Sequence, residues 1–274
     1  MTRHWRLILT VLALLLSSLM AAGTASASTT AHTTVTHASP AGTVNPGGLI
    51  KRSAGPLAST RGVKNGVKNE AETLNWSGYV VTGADGSFNQ VSAEWGVPGV
   101  ICSGGDQYES SWVGLDGYNG STVEQIGTSS DCDGTTAVYS AWYEMYPAPP
   151  VYFSIPDPVG GLVFGEVTFS GTDTYTLSLQ SFNYGWAESV TVNESGLDRA
   201  SAEVITEAPS SDGVVLPLAD FPQVLYRASF VNDAYLGGQS PTQIVMVNSS
   251  GEPLDTTSSI EPDGLFSNRW IMSS

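Results

Sequence analysis

Two acids, one amide and two indoles recur at strand spacing between Ser110 and Pro147. Read as three short strands separated by turns, this stretch places its side chains by period-2 alternation. The first strand then carries Trp112, Gly114 and Asp116 on one face. The second, over residues 122–127, carries Val123 and Gln125 together. The third, over residues 139–146, carries Ser140, Trp142, Glu144 and Tyr146. An acid and a large indole thus share a face twice, with an amide to join them. A solvated strand face does not need tryptophan, and a core does not favour Glu. A concave binding face uses both.

The charge of the chain is divided unevenly, and that narrows the chemistry open to these residues. Residues 1–69 hold seven basic residues, all three histidines and no acid, whereas residues 70–274 hold all 26 acids and only Arg199, Arg227 and Arg269. A domain beginning near Glu70 therefore has neither His nor Lys. It cannot use a Ser-His-Asp or Cys-His mechanism, a lysine Schiff base or a His-ligated zinc. No cofactor and no metal is expected. A nucleic-acid partner is not expected, because nothing would neutralise phosphates. Carboxylates, amides, hydroxyls and indoles remain.

The elements that must position these groups read as β throughout. From Asn75 onward, short alternating runs are separated by Gly, Asp, Asn and Ser turns, and no stretch has a convincing helical period. That is the pattern of an all-β sandwich, and residues 70–274 suffice for one such domain with a sizeable core. The N-terminus reads differently. Arg3 and Arg6, the apolar run 7–20 and the small-residue site Ala25-Ser26-Ala27 make residues 1–27 a secretory signal peptide, which predicts a secreted, extracellular protein with no membrane anchor. Residues 28–69 are rich in Ser, Thr, Ala and Gly with a basic run from Lys51 to Lys68, as in a disordered linker or a basic pro-segment that docks on an acidic domain. In a secreted protein, Cys102 and Cys132 most simply form one disulfide.

The motifs, taken in order, are similar to those of a known family. They are Asn75-Trp76-Ser77-Gly78-Tyr79, the segment Val91 to Pro98, Trp112-Val113-Gly114-Leu115-Asp116-Gly117, Gln125 before Gly127, Ala141-Trp142-Tyr143-Glu144-Met145-Tyr146-Pro147, and Ala202-Glu203-Val204-Ile205-Thr206-Glu207. This ordered set resembles the glutamic peptidases, or eqolisins, from Asn75 to the C-terminus. The resemblance implies two stacked antiparallel sheets, jelly-roll or concanavalin-like, bent to form a substrate groove. It implies Gln125 and Glu207, rather than Glu203, as the catalytic pair, with Trp112, Asp116, Trp142 and Glu144 lining the groove. It also implies a pepstatin-insensitive acid endopeptidase that acts on proteins or peptides, and we expect a monomer. Two positions depart from the family pattern: Ala208-Pro209 follows Glu207 where Asp-Phe is frequent, and Glu124 precedes Gln125 where an apolar residue is common.

Peptide hydrolysis needs a base for water, a donor for the oxyanion and an acid for the leaving amine. Glu207 supplies the first and last in this reading, and Gln125 the donor, both reaching one shared water. The alternative is a jelly-roll glycoside hydrolase or carbohydrate-binding module, with Asp116 or Glu144 and Glu207 as its acid pair. Gln125 separates the two readings, since a glycosidase has no use for it.

Overall fold

The computed structural model describes residues 69–274 other than 157 and 212. The expected signal peptide, and the expected pro-segment apart from Asn69, lie outside the described residues. The strands are β1 (Glu70–Thr73), β2 (Trp76–Thr82), β3 (Gln90–Gly96), β4 (Ser110–Leu115), β5 (Val123–Asp133), β6 (Thr136–Tyr146), β7 (Val151–Tyr152), β8 (Leu162–Phe169) and β9 (Thr174–Ser181). They continue with β10 (Ala187–Asn193), β11 (Ser201–Glu207), β12 (Ser210–Ser211), β13 (Val214–Val215), β14 (Val224–Val231), β15 (Ala234–Tyr235), β16 (Thr242–Met246), β17 (Asp255–Thr257) and β18 (Phe266–Trp270). One 3-10 turn, Leu236–Gln239, accompanies them.

Two sheets of eight strands stack. The first runs β1-β16-β2-β11-β4-β5-β6-β7, and the second β10-β9-β8-β3-β14-β18-β17 with β15 beside β14. All pairings are antiparallel except β1 with β16, which is parallel. Alternation explains the stacking. In the first sheet Tyr79, Val113, Leu115, Ile126, Tyr143 and Val204 face inward, and they meet Trp95, Val167, Leu177, Leu179, Tyr226 and Phe266 of the second. Burying each such side chain contributes roughly 1.5–3 kcal/mol. Trp95 also donates its indole N–H across the sandwich to Thr128 Oγ1 at 2.9 Å, so the most polar edge of that ring is satisfied.

The stretch read as three short strands is longer in the structure. β5 and β6 are 11 residues each and form one hairpin closed at Gly134, whose φ of 60° suits glycine in the turn. Cys132 lies on this hairpin and is disulfide-bonded to Cys102. The bond ties the segment between β3 and β4 to β5.

Candidate active site

The face of the first sheet turned away from the second carries its own cluster: Trp76, Val80, Trp112, Val123, Trp142, Ile205 and Ile244. Register places the polar candidates among them in rows. Gly114, Gln125 and Glu144 lie side by side across β4, β5 and β6. Trp112, Gly127 and Trp142 form the next row, and Ser110, Ser129 and Ser140 the one after. On the other flank β11 sets Glu203 beside Gly114, Ile205 beside Trp112, and Glu207 beside Ser110. Glu207 thus lies two rows from Gln125, with Trp112 in the row between them.

Glycine makes that arrangement possible. A Cβ on Gly127 would stand 2.5 Å from the Ser111 carbonyl oxygen and 2.5 Å from Trp112 Cβ. A Cβ on Gly114 would stand 2.9 Å from the Trp112 ring. The indole therefore lies against Gly114, while Gly127 leaves room for the Trp112 Cβ and the backbone of β4. Trp76 meets it edge to face, with ring centroids 4.9 Å apart and planes at 77°.

The polar groups are individually held. Trp112 Nε1 donates to Glu207 Oε2 at 2.9 Å, and Asn75 Nδ2 donates to Glu207 Oε1 at 3.3 Å. Two N–H donors compensate the charge of a carboxylate in a residue that is only 2 % exposed. Gln125 Nε2 donates to Glu144 Oε2 at 2.7 Å, which fixes the plane of the amide and leaves Gln125 Oε1 without a hydrogen-bond partner. Trp142 Nε1 donates to Ser129 Oγ at 2.8 Å, and Ser129 Oγ lies 3.0 Å from Ser110 Oγ. Glu203 differs from Glu207. It is fully buried, its Oε1 accepts the Tyr118 amide at 3.4 Å, and burial pushes its carboxyl well above the ordinary glutamate value.

The structure therefore brings Gln125, Glu144, Trp112, Trp142 and Glu207 to one face. Asp116 is the exception, and corrects the extrapolated alternation. Its φ of 65° is left-handed and ends the strand geometry after Leu115. Its carboxylate turns to the loop before β11, where Oδ2 accepts the Arg199 amide at 2.6 Å and Oδ1 the Ala200 amide at 2.7 Å. Three residues of the site received no role from the sequence: Asn75, Ser110 and Ser129. Ser129 continues the alternation of Gln125 and Gly127 along the full length of β5. Among the described residues no group of three or more His, Cys, Asp or Glu is placed to hold a metal ion.

Residues 74–268 match the model of the Peptidase A4 family. The chain belongs to that family. Solved structures agree with the assignment. Scytalido-glutamic peptidase bound to a transition-state-analogue inhibitor superposes with a TM-score of 0.63 at 26 % identity, covering 72 % of this chain and 98 % of that one. SCP-B, a member of the eqolisin family in complex with the tripeptide Ala-Ile-His, gives 0.61 at 24 % identity over 72 % and 98 %. Aspergilloglutamic peptidase from Aspergillus niger gives 0.52 at 23 % over 60 % and 99 %. No curated protein matches the chain by sequence. The protein is thus a peptidase of the glutamic, or eqolisin, family with that family's β-sandwich. The face built around Trp112 holds the Gln125 amide and the hydrogen-bonded Glu207 carboxylate.

Proposed function

We propose that this peptidase is a secreted acid endopeptidase in which Glu207 and Gln125 act as a dyad on one water. The supporting observation is the different treatment of the two glutamates of β11. Glu207 receives the Trp112 indole and the Asn75 amide, whereas Glu203 is buried and pushed toward its neutral form. Glu207 takes a proton from water as the water attacks the scissile carbonyl carbon. The developing oxyanion accepts an N–H of Gln125, whose amide plane Glu144 holds. Glu207 then returns the proton to the leaving amine nitrogen, and the C–N bond breaks. The unpartnered Gln125 Oε1 is an acceptor that orients the attacking water. Trp112 and Trp142 supply apolar walls for an extended peptide.

The test is hydrolysis of denatured casein at acid pH with pepstatin present, by the wild type and three variants. Gln125→Ala should lose on the order of 10²–10³ in kcat, the usual cost of one oxyanion donor. Glu207→Gln should lose at least as much, and Glu203→Gln far less, with circular dichroism unchanged in each. An inactive Glu203→Gln beside an active Glu207→Gln would reverse the assignment.

A further inference from the structure

Glu124, the neighbour of Gln125 in β5, points to the other face of the sheet. It pairs with Leu115 of β4 and Met145 of β6, and it is 1 % exposed. Neither of its oxygens meets an N–H or O–H donor from another residue. What the carboxyl does meet is the carboxylate of Asp116. Two ionised carboxylates are acceptors only and cannot form a hydrogen bond, so this contact needs a proton.

The surroundings decide which group carries that proton. Asp116 accepts the amides of Arg199 and Ala200, so each of its oxygens already has an N–H donor. Glu124 has no such donors. Around it stand Glu194 and Arg199 of the loop between β10 and β11, Tyr175 of β9 and Glu203 of β11. Arg199 is the only cation of this group, and it is committed elsewhere. Its guanidinium donates to Asn89 and to the Phe88 carbonyl and lies 3.8 Å over the Phe169 ring.

We propose that Glu124 is a neutral carboxylic acid donating its proton to the Asp116 carboxylate, and that this shared proton clamps β5 to the turn closing β4 and the loop entering β11. Both strands that carry the dyad leave from this point: Gln125 is the next residue on β5, and β11 begins at Ser201, directly after the two amides that Asp116 holds. Burial first, and Asp116 second, push the Glu124 carboxyl up to about 9. Glu124 is therefore a positioning residue whose bond exists only while the proton stays.

The linkage has a definite sign. A raised folded value contributes stability below the ordinary glutamate range, and that stability is lost as pH climbs toward the folded value. Between pH 5 and 8 the unfolded chain has released this proton and the folded chain has not. Urea unfolding of the full chain across that range should show the wild-type folding constant falling an extra tenfold per pH unit relative to Glu124→Gln, because glutamine donates without titrating. Parallel curves for the two proteins would overturn the proposal.

Glu124→Leu separates the proton from the clamp. It should lose the same pH slope as Glu124→Gln, yet exchange the Arg199 and Ala200 amide protons faster, since Asp116 is left unsupported. Equal exchange in the two variants would remove the clamp. Should Glu124→Gln not fold, carboxyl ¹³C resonances of the glutamate-labelled wild type decide. The resonance missing in Glu124→Leu should hold still between pH 5 and 7, and an ionisation shift there would overturn the proposal. These measurements read the fold alone. A failure of casein hydrolysis in every variant would count against the dyad and leave the shared proton standing.

Discussion

Trp112 has two functions that its sequence position does not separate. Its ring lies against Gly114 and packs against Trp76, while its Nε1–H holds Glu207 Oε2. Trp112→Phe keeps most of the apolar contact and removes the donor. A hydrogen bond to a charged group contributes roughly 1.5–3 kcal/mol, so kcat should fall about 10- to 100-fold with the melting temperature changed little by comparison. A kcat within twofold of wild type would mean that the indole N–H does not matter to the base. The ¹⁵N shift of the Trp112 indole, followed through a pH titration, would report directly on the protonation of its partner.

At the scale of the strand, the site depends on how closely β4 and β5 approach. The Cβ of alanine at Gly127 has no room, because the obstacles are the backbone of Ser111 and the Cβ of Trp112 rather than the end of a flexible side chain. Gly127→Ala should cost at least the 1–3 kcal/mol typical of overpacking. It should also tilt Trp112 away from Glu207, so activity falls further than stability does. Gly96→Ala is the control. Gly96 ends β3 and has nothing within 4 Å of a built Cβ. Urea midpoints for the two variants measure the difference, and equal midpoints would show that the strands spread apart without cost.

Over the whole domain the dominant feature is acid without base. Eight carboxyl side chains are buried among the described residues. The three arginines turn their guanidinium groups elsewhere: Arg227 to Glu94 at 2.7 Å, Arg269 to Gln223 at 2.9 Å, and Arg199 to Asn89 and Phe88. Burial is the first cause in raising Asp255 to about 7, Glu124 to about 9 and Glu203 well upward. Each raised group stabilises the fold at pH values below the ordinary carboxylate range. That stability drains away as pH rises through the folded values, first to about 7 for Asp255 and then to about 9 for Glu124. The melting temperature should therefore be highest near pH 3–4 and fall at pH 5 and again at pH 7, with casein hydrolysis lost over the same span. A melting temperature that climbs toward pH 7 would contradict this bookkeeping. The opposite charge of residues 1–69 gives a second expectation. Full-length protein should stay latent near neutral pH and mature on acidification, and replacing the basic residues from Lys51 to Lys68 with Ser should weaken the latency. Unchanged latency in that variant would leave no electrostatic part to the docking.

The sequence alone determined what depends on local spacing. Alternation put Trp112, Gln125, Trp142 and Glu144 on one face because a strand repeats every two residues wherever it lies. The loss of His and Lys after residue 69 restricted the chemistry, and the ordered motifs pointed to the family. Local reasoning failed where the backbone leaves the strand region. At Asp116 a left-handed φ turned the side chain away from the face that alternation assigned it. It also stopped short along β5, whose later residues Ser129 and Asp131 carry no apolar signal and are buried all the same. Only the tertiary structure decided the rest. The parallel pairing of β1 with β16, the insertion of β11 between β2 and β4, and the approach of Glu207 to Trp112 join residues about 90 or more positions apart. Such contacts are selected by the packing of the whole sandwich, since no local propensity distinguishes one distant partner strand from another. Glu124 and Asp116 are a different case, only eight positions apart across the turn from β4 to β5. Their spacing is local, but the burial of both carboxyl groups is decided only by the closed sandwich.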